Sequence, residues 1–259
     1  MSELDRTLAE RHAMVTGANR GIGAAIAMSL SQLGATVTLL VRDRESGERA
    51  QALLPGKSYV VAADITDEDA VANACVKAMN AMGTVDILVN NAGSVESAPF
   101  LRTDRAVFER MLAVHLYGPM AATRALLPNM MTQKFGRVVN IASIAGVAGA
   151  PYITAYCAAK HAMVGLTRSL AKEVITSGIT VNAVCPGYTE TDMVTSGIAN
   201  ITARTGRSAE DALSAMLSNS PLKRLVKAEE VASSVAWLCS AGAASVTGQT
   251  IVIDGGELA

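Results

Sequence analysis

Tyr156 and Lys160 stand four positions apart, a spacing that brings two side chains onto one face of a helix. A free tyrosine, with a pKa of roughly 10, is a poor base near neutrality, but a lysine ammonium beside it stabilises tyrosinate and lowers that value. Tyr156 could then exchange a proton with a carbonyl or alcohol oxygen. Ser143, at the end of the preceding apolar run, could hold the same oxygen while a nicotinamide exchanges hydride at the carbon. A Tyr-x-x-x-Lys pair is common by chance, so it points to chemistry only in company.

That company is a glycine loop, Thr16-Gly17-Ala18-Asn19-Arg20-Gly21-Ile22-Gly23, between a short apolar run and an apolar-periodic helix. Glycines there allow a tight turn and a close approach of backbone to a pyrophosphate, which then lies against the helix N-terminus. The spacing is G-x-x-x-G-x-G rather than G-x-G-x-x-G, and a glycine triplet alone fits an ordinary turn equally well. Its place between strand and helix points to a dinucleotide. An acid at the end of the second strand holds the ribose 2′-hydroxyl of NAD, whereas an arginine accommodates a 2′-phosphate. Here the run ends Leu40-Val41-Arg42-Asp43, so Arg42, with Arg20 in the loop, favours NADP(H). NAD(H) stays open if the strand ends one residue later and Asp43 takes the acid's place, or if Arg42 is an ordinary surface arginine.

These residues need a frame. Candidate strands are 12–16, 36–41, 58–63, 86–90, 137–142, 180–185 and 250–253, and most are continuous apolar runs suited to burial on both faces. Helical patterns lie between them at about 22–33, 45–53, 68–82, 104–127, 155–176 and 228–239. Right-handed crossovers then give an α/β fold, a doubly wound, seven-stranded parallel sheet of Rossmann-like type, in a single domain spanning 1–259. The segment from Pro186 to Leu225 has no strand candidate and carries a helix-like piece at Ser208–Leu217. Leaving the C-terminal end of a strand, residues 188–225 are expected to form a helical lid over a substrate site, with a surface insertion as the alternative.

Of 259 residues, 50% are hydrophobic and 17% charged, and 22 basic residues nearly cancel 23 acidic ones. That composition excludes a disordered chain and gives no field to hold nucleic acid or an anionic membrane. The uncharged stretch Val138–Ala159 is long enough to raise the question of a membrane span, but polar and small residues break it up. Met1–Glu10 lacks the apolar centre of a signal peptide, so a cytoplasmic location is expected. Cys75, Cys157, Cys185 and Cys239 lie far apart and read as small buried residues, and His12 and His161 lack metal-ligand companions, so no metal is expected. Met120, Met130 and Met131 read as core or subunit-interface filler.

The motifs Thr16-Gly17-x-x-x-Gly21-x-Gly23, Asp64, Asn90-Asn91-Ala92-Gly93, Ser143, Tyr156-x-x-x-Lys160, Pro186-Gly187-x-x-x-Thr191 and Asp254-Gly255-Gly256 stand in one order along the chain. In that combination the sequence resembles the short-chain dehydrogenase/reductase family almost from end to end. The resemblance implies a homotetramer or dimer, and it places Asp64 and Ile65 at the adenine and Asn91, Ala92 and Gly93 beside the adenine ribose. Lys160 would also bind the nicotinamide ribose, and Pro186, Gly187, Thr189 and Thr191 would hold the carboxamide end. One position departs from the family: an asparagine that positions a proton-relay water is replaced by His115, in Val114-His115-Leu116. Histidine can serve a relay through a ring nitrogen and titrates near neutrality; plain packing is the alternative.

The same resemblance lines the substrate pocket with Val95, Ala150, Tyr188 and Met193, beside Ser143 and Tyr156. The lining is mainly small or apolar, and a small carboxylate would need a buried cation or several donors. The extended lid resembles that of 3-hydroxybutyrate dehydrogenases, but Ala145 and Ile153 stand where such relatives carry His and Lys. Tyr188-Thr189-Glu190-Thr191-Asp192-Met193 looks like 3-oxoacyl thioester reductases, and Ser177 replaces an arginine common in carrier-protein-dependent members. The expected activity is an NADP(H)-dependent reductase of a 3-oxoacyl thioester of CoA type or a similar ketone. The alternatives are an NAD-dependent hydroxyacyl-CoA or cyclic secondary-alcohol dehydrogenase, and a nucleotide-binding regulator without catalysis.

Overall fold

Strands form where aliphatic runs can be covered on both faces. The computed structural model describes residues 7–259. In it β1 (His12–Thr16), β2 (Thr36–Val41), β3 (Ser58–Ala62), β4 (Ile87–Asn90), β5 (Gly136–Ile141), β6 (Ile179–Pro186) and β7 (Thr250–Ile253) make one parallel sheet in the order β3-β2-β1-β4-β5-β6-β7. The order reverses between β1 and β4, where Val15 pairs with Val89, and a crevice opens beyond the carboxyl ends of those strands.

Helices cover both faces. α1 (Gly21–Gln32), α2 (Arg44–Gln51) and α9 (Ala228–Cys239) lie on one, where Ile26 and Leu30 of α1 share a core with Val231, Val235 and Leu238 of α9. α3 (Glu68–Met82), α5 (Gly118–Gln133) and α6 (Thr154–Val174) cover the other, where Met14 and Leu88 pack among Val71, Cys75, Leu126 and Met130. Each fully buried Leu, Ile or Met side chain contributes roughly 1.5–3 kcal/mol. α4 (Arg105–Leu112) precedes α5, and the 188–225 segment holds α7 (Asp192–Thr205) and α8 (Ala209–Met216).

Three strands fall on the expected residues, and the others shift by a residue or two at an end. Asp86, just before β4, still bonds both neighbouring strands through its backbone, while its carboxylate accepts the His12 N–H at 2.9 Å and pairs with Arg11 at 3.2 Å. The helix expected over 104–127 is a longer, composite rod in which α4 passes through a π-helical turn, Ala113–Tyr117, into α5. It continues past Pro128 because Leu126 and Met130 are buried on either side of the break, and it stops at Lys134 in the left-handed region. Within the helical segment expected over 188–225 the sequence singles out only the piece at Ser208–Leu217; α7 precedes it, with Val194 buried and Ile198 and Ile201 half-buried on one face. Among the described residues no helix is long and apolar enough to cross a membrane. The expectation for Met1–Glu10 falls largely on positions 1–6, which lie outside the described residues.

Candidate active site

The glycine loop is built against the end of β4. Thr16 Oγ accepts the N–H groups of Asn91 and Ala92, both at 2.9 Å, and Asn91 Nδ2 donates back to the Thr16 and Gly17 carbonyls at 2.9 and 3.2 Å. Gly17 has φ +64°, and a Cβ on Gly23 would lie 2.3 Å from the Gly17 carbonyl oxygen. These two glycines therefore let the loop close on itself and on Asn91, which any approach of a phosphate presupposes. α1 then starts with no capping side chain and no acid in its first turn, whereas Asp43, Asp67 and Asp104 cap α2, α3 and α4. Its first N–H groups and positive dipole end fit a dinucleotide's pyrophosphate.

Ser143 lies two residues past β5, and its Oγ accepts the Ala145 N–H at 3.1 Å. Tyr156 and Lys160 sit on one face of α6, as their spacing predicts. Lys160 is buried, with Nζ donating to the Ile141 carbonyl at 2.7 Å and 5.6 Å from the centre of the Tyr156 ring. The expected lowering of the tyrosine pKa by this lysine is not what the geometry gives. Burial pushes the phenol up to about 12 against the opposing influence of the Ser143 hydroxyl, and burial brings the Lys160 ammonium down to about 7. At neutral pH the cofactor-free site thus holds a protonated phenol beside a lysine that has lost part of its charge.

His115 lies at the centre of the π-helical turn and is almost fully buried. Its Nε2 is 2.7 Å from the Ser94 carbonyl oxygen, which can only accept, so the proton is on Nε2. Nδ1 is then a lone pair, buried and without a partner among the described residues. The ring meets the Tyr156 ring edge-to-face at 5.1 Å, and a Cβ on Gly93 would lie 2.9 Å from its Cε1. Titration near neutrality is overturned, because burial, and then the Lys160 charge, depress its pKa to about 3. His115 is neutral at physiological pH.

β2 ends at Val41 and Arg42 is exposed immediately after it. Asp43 accepts the Ser46 N–H at 2.9 Å as the cap of α2, and that bond holds its carboxyl below the ordinary range. Ser46 Oγ also accepts from Asn19 Nδ2 at 3.1 Å, tying the glycine loop to α2. Asp64 accepts both N–H and Oγ–H of Thr66, at 2.9 and 2.7 Å, and those bonds lower its carboxyl as well. Ile65 packs against α5, where a Cβ on Gly118 would lie 2.4 Å from the Ile65 carbonyl oxygen.

Past β6, Gly187 N–H donates to the Ile253 carbonyl at 2.9 Å and Thr189 Oγ to the Gly187 carbonyl at 3.0 Å. Both ends of the 188–225 segment are pinned together: Val226 N–H donates to Tyr188 at 2.8 Å and Glu190 N–H to Val226 at 2.9 Å. Val95, Ala150, Tyr188 and Met193 stand on the segments after β4, β5 and β6. The loops carrying Val95 and Ala150 are joined by a bond from Ala98 N–H to the Tyr152 carbonyl at 2.8 Å. Burial, then Glu257, raises the Tyr188 phenol pKa.

A buried polar ladder escaped the sequence reading. Asn90 Nδ2 donates to Asn140 Oδ1, and Asn140 Nδ2 to Thr167 Oγ, both at 2.8 Å, linking β4 and β5 to the helix that carries Tyr156 and Lys160. The available signal was an asparagine inside each apolar strand run.

A family model described as Enoyl-(Acyl carrier protein) reductase, within the short-chain dehydrogenases, matches residues 17–257. The chain belongs to the short-chain dehydrogenase/reductase family. This short-chain dehydrogenase/reductase is 37% identical over 244 residues to the 3-oxoacyl-[acyl-carrier-protein] reductase FabG of Haemophilus influenzae, covering 94% of this chain and 96% of that one. It is also 37% identical to the cis-4-hydroxycyclohexanecarboxylate dehydrogenase of Sinomonas cyclohexanicum, over 99% of this chain and 100% of that one. Among solved structures, a levodione reductase superposes with a TM-score of 0.91 at 31% identity, over 96% of this chain and 98% of that one. As a family member it is a nicotinamide-dependent oxidoreductase acting on a small molecule at a secondary alcohol or carbonyl.

Proposed function

We propose that this enzyme is an NADP(H)-dependent reductase of a 3-oxoacyl thioester of CoA type, or of a similar ketone. The observation that carries this reading is the placement of Lys160, buried with Nζ fixed by the Ile141 carbonyl and 5.6 Å from the centre of the Tyr156 ring on the same face of α6. A bound nicotinamide supplies hydride to the carbonyl carbon. Tyr156 Oη donates the proton to the carbonyl oxygen, and Ser143 Oγ holds that oxygen by a hydrogen bond. Lys160 binds the nicotinamide ribose, and its remaining positive charge steadies the phenolate left behind. The neutral His115 offers Nδ1 as an acceptor in the path that returns a proton to Lys160.

Gly17, Asn19, Gly21, Ile22 and Gly23 of the glycine loop would hold the pyrophosphate. Asp64 and Ile65 serve the adenine, Asn91, Ala92 and Gly93 its ribose, and Pro186, Gly187, Thr189 and Thr191 the carboxamide end. Preference for NADP(H) is supported by Asp43, which is occupied as a helix cap and leaves Arg42 and Arg20 as the charged groups for a 2′-phosphate. The 188–225 segment acts as a lid, with Val95, Ala150, Tyr188 and Met193 shaping the pocket. Self-association as a homotetramer or dimer, and a cytoplasmic location, belong to the same reading; the four buried, unpaired cysteines suit a reducing compartment.

A second reading, oxidation or reduction of a cyclic substrate, is favoured by the likeness to levodione reductase and to the cyclohexanecarboxylate dehydrogenase. Rates of reduced-nicotinamide consumption with NADPH and NADH against a 3-oxoacyl-CoA and a cyclic diketone separate the two. The first reading expects NADPH and the thioester to give the highest kcat/KM. NADH preference would remove the role given to Arg42, and absence of turnover across the panel despite tight cofactor binding would favour a non-catalytic regulator.

A further inference from the structure

Arg20 lies between the glycine loop and the base of the lid. It directly precedes α1, and its Nη1 is 3.2 Å from Asp192 Oδ2, on the first residue of α7. The two elements are packed together there, since a Cβ on Gly21 would lie 3.1 Å from Thr191 Cγ2. An open cavity of about 380 Å³ runs along this junction, lined by Arg20, Gly21, Thr191 and Asp192 among others, with Glu190 adding a second carboxylate on the lid side. The guanidinium engages Asp192 through one nitrogen only, so its fork remains better matched to a phosphate, which can take two parallel bonds.

We infer that Asp192 is a specificity-determining residue: it competes with the cofactor's 2′-phosphate for Arg20 and so tempers the preference for NADP(H) over NAD(H). This rests on the reading that Arg20 contacts that phosphate. In the cofactor-free protein the pair holds the first turn of the lid helix to the glycine loop. A phosphate that recruits Arg20 releases Asp192, and strengthening the Arg20–Asp192 pair weakens phosphate binding, by at most the factor by which the pair is strengthened. Both side chains are well exposed, at 71% and 70%, so the pair is screened and the effect is small, about two- to fivefold in affinity.

The test is a fluorescence titration of NADPH and of NADH into wild type, Asp192→Asn, Arg20→Ala and the double variant at low salt, with Kd as the readout. Asp192→Asn is expected to tighten NADPH by about two- to fivefold and leave NADH unchanged, with the gain shrinking in high salt and in the Arg20→Ala background. NADH serves as the control for any change in lid-helix stability, which would move both cofactors alike. If Arg20→Ala weakens NADPH but Asp192→Asn leaves the NADPH-to-NADH ratio unchanged, or moves both affinities equally, Asp192 has no such role. If Arg20→Ala itself leaves the ratio unchanged, the assignment of Arg20 to the phosphate fails first, and this inference falls with it.

Discussion

Burial sets the protons at the candidate site. It keeps the Tyr156 phenol protonated, brings the Lys160 ammonium close to neutral pH and holds His115 uncharged. The residue types and their spacing were legible in the sequence; the directions of these shifts were not, because they depend on what covers each group. His115 makes the point testable. A neutral ring serving through its Nδ1 lone pair can be replaced by another acceptor, so His115→Asn should keep kcat within about threefold, while His115→Ala should lose about tenfold or more. A His115→Ala variant with unchanged rate and pH profile would remove the relay role. The same shift has a stability consequence. Its folded-state pKa of about 3 lies below the unfolded value of 6.5, so between them the unfolded chain binds more protons. Stability should therefore fall as pH drops from 6.5 toward 3, by at most about 1.4 kcal/mol per pH unit from this group, with His12 adding to the slope in the same direction. Urea denaturation at several pH values should show a shallower slope in His115→Asn; an identical slope would contradict a buried neutral ring.

At the level of elements, β1, β2 and β7 were read to the residue because their aliphatic runs are bounded by polar or glycine-containing turns. What the sequence hid was of three physical kinds. The rod from α4 to α5 outlasts Pro128 because tertiary packing of Leu126 and Met130 outweighs the bond that proline cannot donate. The π-helical turn that carries His115 has no period a sequence window can detect. α7 has only a short apolar face, Val194, Ile198 and Ile201, set among Gly197, Asn200 and Thr202, too brief to stand out as a helical period in the sequence. The polar ladder through Asn140 shows how the sheet positions the site: it fixes α6, and with it Tyr156 and Lys160, against β5. Asn140→Ala would leave the Asn90 amide and the Thr167 hydroxyl each short of a partner and should cost about 1–3 kcal/mol in chemical denaturation. A loss below about 0.5 kcal/mol, the size of an ordinary surface change, would deny the ladder that role.

Over the whole molecule, the apolar and weakly charged composition is spent on a parallel sheet buried between two helical layers, while the polar residues that matter gather at the carboxyl ends of β1, β4, β5 and β6. The crevice where strand order reverses carries the glycine loop, and the pinned 188–225 segment stands next to it, so the glycine loop, Tyr156 and that segment lie at the same carboxyl end of the sheet. The uncharged stretch from Val138 to Ala159 becomes β5, a short 3-10 turn and the start of α6, with Ser143 and Tyr156 inside it. The central claim is that this edge reduces a ketone with Tyr156 as the proton donor. It is tested most directly by the rate of NADPH consumption with a 3-oxoacyl-CoA in wild type and in Tyr156→Phe, at cofactor saturation. The account predicts steady turnover by the wild type and a loss of about a hundredfold or more in the variant, with NADPH affinity retained. A Tyr156→Phe variant that turns over at nearly the wild-type rate would contradict it.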